Sequence, residues 1–163
     1  MAKSKEEKTN VMRVLEQKKI AYTPHSYPHE EGIAVDGVTV AKSMGFDLAI
    51  VFKTLVARGA SKQYYVFDVP VAENLDLKKA AKAVGEKSIE MIHQKELLPL
   101  TGYVHGGCSP VGMKKLFPTV FHETAENLET MIVSAGKIGY QVELAPHDLA
   151  ALVRAKFADL IVE

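Results

Sequence analysis

Residues 49–71, "AIVFKTLVARGASKQYYVFDVPV", decide how this chain must be read. Two apolar runs, Ala49–Ala57 and Gln63–Val71, flank the polar stretch "RGASK". Both runs are of strand length and rich in Val, Phe and Tyr, so the stretch predicts a β-hairpin. Working outward, Asp76 is a good N-cap for the helix "LKKAAKAV", and Gly85 stops it. Upstream, 38–44 reads as a short helix closed by Gly45, and 20–27 as a short strand with Pro24 at an edge. Val11, Met12 and Leu15 have helical spacing that ends near Lys19, after a polar, frayed stretch 1–10. Downstream, "IEMIHQKELLPLTG" contains a helix ended by Pro99. Strands are predicted at 102–105, 119–122, 130–134 and 139–144. A last helix starts at Pro146 and runs through "HDLAALVRAKFADLIV". Hairpins mix with helices without a βαβα alternation. The fold class is therefore α+β, one domain over 1–163, with a mixed or antiparallel sheet, partly open and barrel-like, surrounded by helices.

Composition excludes several classes. The chain has 163 residues, 25% charged and 47% hydrophobic, with zero formal net charge. A protein that packages nucleic acid through many Lys–phosphate contacts would be basic. One cysteine excludes an internal disulfide and a Cys-rich zinc site, and a lone thiol suits a reducing compartment. The start "MAKSKEEKTN" lacks an apolar signal core, and no run approaches membrane-spanning length. A cytoplasmic protein is expected, with no membrane partner and no metal. The six histidines show no metal spacing, because Pro24 and Pro28 forbid a regular helix around His25 and His29.

Three features carry chemistry. Lys53 sits inside an apolar strand, on a face with Val51 and Leu55, while Ile50, Phe52 and Thr54 take the other. It points to solvent or into a pocket, and alternation alone favours solvent. The loop "HGGCSPVG", 105–112, pairs Gly106 and Gly107, which let a backbone approach a ligand, with Ser109, Pro110 and Gly112. Its N–H groups form either a nest for a developing oxyanion or an ordinary turn. Cys108 with His105 is a candidate nucleophile pair, but a free cysteine is more often a small buried hydrophobe.

The pieces "VFKTLV", "VPVAENLDLKKAAKAVG", "TGYVHGGCSPVGMKKLFPT", "IVSAGKIGYQVELAPHDL" and "AKFADL" together resemble the YbaK/EbsC family. They run in order from about Tyr22 to the C-terminus. The GG-x-SP-x-G loop combined with the strand lysine is the specific part. The family includes the editing domain of bacterial prolyl-tRNA synthetases. The resemblance implies removal of wrong amino acids from tRNA, a task that arises because a pocket discriminates small size differences poorly. It puts the essential lysine at Lys53 and the glycine-proline loop at Gly106, Gly107, Cys108, Ser109, Pro110 and Gly112. Substrate contacts fall at Tyr27, Thr54, Ser134 and Gln141. Cys108 stands where relatives often have isoleucine, which makes it a packing residue. Gln141 stands where the family has an aspartate near the pocket.

The implied activity is a trans-editing deacylase that clears cysteine from Cys-tRNA(Pro), with Cys-tRNA(Cys) as a further substrate. The substrate thiol attacks its own ester, so no cofactor is needed. The aminoacyl-tRNA is the partner, with prolyl-tRNA synthetase a further one. Lys78, Lys79, Lys82, Lys114 and Lys115 offer a local basic patch or a solvated face. Three alternatives stay open: an Ala-tRNA(Pro) hydrolase, a non-catalytic tRNA- or synthetase-binding module, and a cysteine hydrolase using Cys108 and His105.

Overall fold

The computed structural model describes residues 8–30 and 32–163. Most of the expected frayed N-terminus therefore lies outside the described residues. Thr9 already caps the first helix, α1 (Asn10–Gln17), by accepting from the Met12 N–H. Val11, Met12 and Leu15 of α1 are buried, as their spacing predicts.

The hairpin forms. β2 (Phe52–Gly59) and β3 (Tyr64–Pro70) pair antiparallel, with Lys53 opposite Val69 and Thr54 opposite Asp68. The Gly59 N–H donates to the Gln63 carbonyl at 2.8 Å to close the turn. Glu86 braces it, accepting from Ser61 and from the Tyr65 hydroxyl. The run before Phe52 is a 3-10 turn, Leu48–Ile50, and not strand, because Asp47 caps the Ala49 N–H.

β2 and β3 lie inside a five-stranded sheet of order β4-β2-β3-β5-β8. Here β4 is Ile89–Met91, β5 Thr119–His122 and β8 Lys156–Ala158. β4 joins antiparallel, while β5 and β8 join parallel, so the sheet is mixed. A second sheet holds β1 (Thr23–Ser26), β7 (Tyr140–Leu144) and β6 (Met131–Ser134), all antiparallel. The two sheets meet at one parallel bridge, Val51 to Ile132. They do not close into a barrel, because a single bridge replaces the ladder that closure requires.

Helices cover the sheets. α2 (Gly37–Ser43) packs Ala41 against Val51, Val71 and Ile132 at the seam. α3 (Leu77–Val84) buries Ala80 and Ala81 on Phe67 and Val120. α1 and α5 (Pro146–Val153) share a core with Phe52, Phe121, Met131 and Val142. Asp76 caps α3 as expected, accepting from the Lys78 and Lys79 N–H groups at 2.9 and 3.1 Å, and Gly85 ends it with φ +75°. Asp76→Ala is expected to lower stability by about 1 kcal/mol in urea melts.

Three expectations need correction. The last helix stops at Val153, where Arg154 turns left-handed at φ +58°; the next residues form β8 beside β5. No strand occupies 102–105: α4 (Gln94–Thr101) runs past Pro99 to Gly102, whose φ of +88° ends it, and a loop follows. β4 is present where only helix was read.

Candidate active site

A cavity of about 550 Å³ opens along the seam between the two sheets. This is within the ordinary range for a small-molecule site. β2 supplies Lys53, Thr54 and Leu55, the segment entering α2 supplies Ala34 to Gly37, and the three-stranded sheet supplies Ser134, Tyr140 and Gln141. Tyr27 follows β1, and His105, Gly106 and Cys108 close the cavity from the glycine loop. Segments far apart in sequence converge because β2 lacks a partner strand here: β4 pairs only with Ala57–Gly59.

Lys53 is half-buried and lines this cavity, so the solvent-facing reading is corrected. Burial pushes its ammonium below its ordinary pKa, and the carboxylates of Asp36 and Glu73 partly offset this. The group remains a poorly hydrated cation in a concave site, where a charge acts more strongly than in water. Asp36 also caps α2, accepting from the Thr39 N–H at 3.1 Å.

The glycine loop is built to approach closely. Gly106 has φ +90°, and a Cβ there would lie 2.6 Å from the Ala34 Cβ and 3.2 Å from its Cα. A Cβ on Gly107 would lie 3.0 Å from the Ile138 nitrogen. Tyr103 ties the loop shut by donating its hydroxyl to the Val111 carbonyl, and the Ser109 hydroxyl accepts from the Val111 N–H. The Gly107 N–H is engaged, donating to the Val104 carbonyl at 2.9 Å. The Cys108 N–H makes no hydrogen bond among the described residues. Gly107, Ser109, Pro110 and Gly112 do not line the cavity: they shape the loop that presents Gly106 and Cys108.

Cys108 packs its side chain into a core of Val56, Val66 and Phe117. Burial, aided by Asp68, pushes its thiol up to about 12. Such a thiol stays protonated at neutral pH, which removes the main requirement of a cysteine nucleophile. Its part as a packing residue follows directly.

Across the cavity, Ser134 faces Gln141 in the β6–β7 register, and its hydroxyl accepts from the Gly136 N–H. The Gln141 Oε1 is buried without a hydrogen-bond partner among the described residues. His25 pairs with Glu143 at 2.8 Å, and His29 packs on Tyr27 and Tyr140. Among the described residues, no three His, Cys, Asp or Glu groups converge as metal ligands. The lysines do not act alike: Lys79 is held by Asp159, Glu163 and the Ile161 carbonyl, and Lys114 bonds the Pro99 carbonyl.

The residue that sequence reading missed is Asp68, fully buried beneath Thr54. Its signal was present: one carboxylate inside the apolar run "YVFDVPV".

Residues 34–152 match the model of the aminoacyl-tRNA editing domain. A protein of Enterococcus faecalis described as "Putative Cys-tRNA(Pro)/Cys-tRNA(Cys) deacylase EbsC" is 45% identical over 161 residues, covering 98% of both chains. A crystal structure of "a putative trans-editing enzyme for prolyl tRNA synthetase" superposes with a TM-score of 0.79 at 26% identity, over 94% of this chain and 95% of that one. A further hypothetical protein, 18% identical, shares the fold with a TM-score of 0.82 over 93% of this chain and 99% of the other. The family match covers most of the chain, including Lys53 and the glycine loop, and on that ground the chain belongs to the aminoacyl-tRNA editing domain family.

Proposed function

We propose that this chain is a deacylase that releases cysteine from Cys-tRNA(Pro), working in trans as one editing domain. The observation that carries the reading is a cavity lined by a half-buried lysine and by Cys108, whose backbone N–H has no hydrogen-bond partner among the described residues and whose thiol keeps its proton. In such a site the substrate can bring its own nucleophile. The cysteinyl thiol adds to its own ester carbonyl, an S–C bond forms, and the C–O bond to the ribose breaks. The thiol proton ends on the leaving ribose oxygen, and a cyclic thiolactone departs.

The Cys108 N–H is the donor aimed at the carbonyl oxygen as it gains charge. Because the Gly107 N–H is already bonded to Val104, it holds the loop and does not join this donor. Lys53 holds the ribose or terminal phosphate side of the ester. Tyr27, Ser134 and Gln141 border the amino-acid end. Positioning then supplies much of the rate. The relative described as a Cys-tRNA deacylase, nearly half identical over its whole length, supports cysteine as the substrate.

Deacylation of Cys-tRNA(Pro) and Ala-tRNA(Pro), measured side by side, tests this. Cysteine is expected to be released much faster than alanine. Faster loss of alanine would sink the thiol-assisted route and put the chain among water-using hydrolases. Absence of turnover on both would leave a binding module. Cys108→Ala is expected to stay within about threefold of wild type, since the main chain at 108 is unchanged and the thiol takes no part. A loss of several hundredfold would restore the cysteine-hydrolase reading.

A further inference from the structure

Asp68 and Thr54 face one another across the β2–β3 ladder, and one hydrogen bond of 2.5 Å joins the Thr54 Oγ1 to the Asp68 Oδ1. Thr54 lines the cavity beside Lys53, whereas Asp68 lies wholly beneath it. The second carboxyl oxygen, Oδ2, has no hydrogen-bond partner among the described residues. An ionised carboxylate in that place would be nearly unsolvated, with one neutral partner and no cation. A neutral carboxylic acid removes that penalty, and it also changes what Thr54 offers. If Asp68 is ionised, Thr54 must give its only hydrogen to Asp68 and can only accept from the cavity. If Asp68 carries the proton on Oδ1, it donates to Thr54, and the Thr54 hydrogen is released.

We propose that Asp68 works as a neutral acid that donates to Thr54, so that the Thr54 hydroxyl points into the cavity as a hydrogen-bond donor to the substrate ester. Asp68 is thus a positioning residue, and Thr54 is the group that touches substrate. The identity of the substrate rests on the deacylase reading; the state of the buried pair does not. Burial pushes the Asp68 carboxyl up to about 7, partly offset by Thr54. The groups packed around it leave that titration isolated. Thr54 comes from β2, Phe121 is its partner on β5, and Cys108 comes from the loop with a thiol pushed up to about 12. None of these three titrates near neutrality. The donor is therefore present below about pH 7 and withdrawn above it.

The test uses Asp68→Ala, Asp68→Asn, Thr54→Val and Thr54→Ser on Cys-tRNA(Pro) between pH 6 and 8.5. At the acid end, Asp68→Ala and Thr54→Val are expected to lose roughly tenfold in kcat with KM nearly unchanged. Asp68→Asn and Thr54→Ser, which keep a donor at each atom, are expected to recover most of it. The rate ratio of Asp68→Asn to wild type cancels the substrate thiol's own pH dependence. It is expected to rise severalfold through pH 7, because an amide cannot ionise. A flat ratio, or an Asn variant as slow as the Ala variant, overturns the donor role.

A second readout needs no tRNA. An acid that is neutral when folded and ionised near pH 4 when unfolded binds more protons in the folded state between those values. Its contribution to stability is complete below about pH 4 and is lost as pH rises to about 7. Wild type should therefore lose melting temperature relative to Asp68→Asn over that window; an unchanging difference shows an ionised Asp68 and overturns the proposal. If wild type releases no cysteine at all, the deacylase reading falls and the donor role falls with it, while the melting comparison still decides the state of the pair.

Discussion

Lys53→Ala is expected to reduce Cys-tRNA(Pro) deacylation by at least ~100-fold, with no loss of melting temperature. The argument starts from where the cation sits. Lys53 is half-buried on β2 beside the seam, and burial already lowers its pKa. A poorly hydrated cation is held in place only if it does something that compensates. Its neighbours Asp36 and Glu73 stabilise the charge, but neither forms an ion pair with it within 4.0 Å among the described residues. Removing the ammonium therefore relieves a desolvation cost and breaks no structural pair, so the fold should tolerate alanine. On the proposed route, the ester and its ribose would lose the positive charge that Lys53 brings to the cavity. Lys53→Arg should not rescue fully, since a planar guanidinium cannot occupy the same point. Single-turnover deacylation beside a thermal melt decides the matter: near-normal turnover in Lys53→Ala would remove Lys53 from the mechanism, and a collapsed melt would make it a structural residue.

Gly106→Ala is expected to damage both the fold and the site. Two independent costs fall on one residue. The backbone has φ +90°, a conformation that disfavours any side chain by roughly 1–3 kcal/mol. The new methyl would also lie 2.6 Å from the Ala34 Cβ and 3.2 Å from the Ala34 Cα, so a neighbouring backbone has to move. Ala34 begins the segment that carries Val35 and Asp36 into the same cavity. Displacing it shifts two walls of the site together. A misplacement of about 1 Å is enough to cost on the order of 100-fold in rate. Both melting temperature and kcat should fall. If kcat falls while the melt is unchanged, the loop has yielded without strain; if neither falls, the close approach at Ala34 is not maintained in solution.

Much of the frame could be read from local pattern. The β2–β3 hairpin, the Asp76 cap and the Gly85 stop all follow from residues within one short window. What was misread depends on partners distant in sequence. "AKFADL" continues a helical pattern, yet Lys156–Ala158 pairs in parallel with β5, more than thirty residues earlier. No glycine marks the end of α5, since Arg154 itself takes the left-handed turn. The three residues of β4 are too few to show a period. Lys53 illustrates the same limit at the site. Alternation along β2 points it outward, and only the second sheet, which meets the chain at Val51 just before β2, turns that outward space into a cavity. The glycine loop was legible as a loop, but which N–H groups remain open was not. That depends on the Val104 carbonyl, which the expected strand at 102–105 would have used differently.

The buried thiol of Cys108 has a bearing on how such a catalyst survives its own reaction. On the proposed route every turnover brings one free thiol into the cavity and sends out an acylating thiolactone. A thiolate in the wall would be trapped by the first as a mixed disulfide, after oxidation, or by the second as a thioester. The one cysteine of this chain lines the cavity, yet it is buried in a core with Val56, Val66 and Phe117 and keeps its proton. On that route the wall would present no reactive sulfur of its own, and the catalyst would be protected against self-poisoning by reactant and product alike.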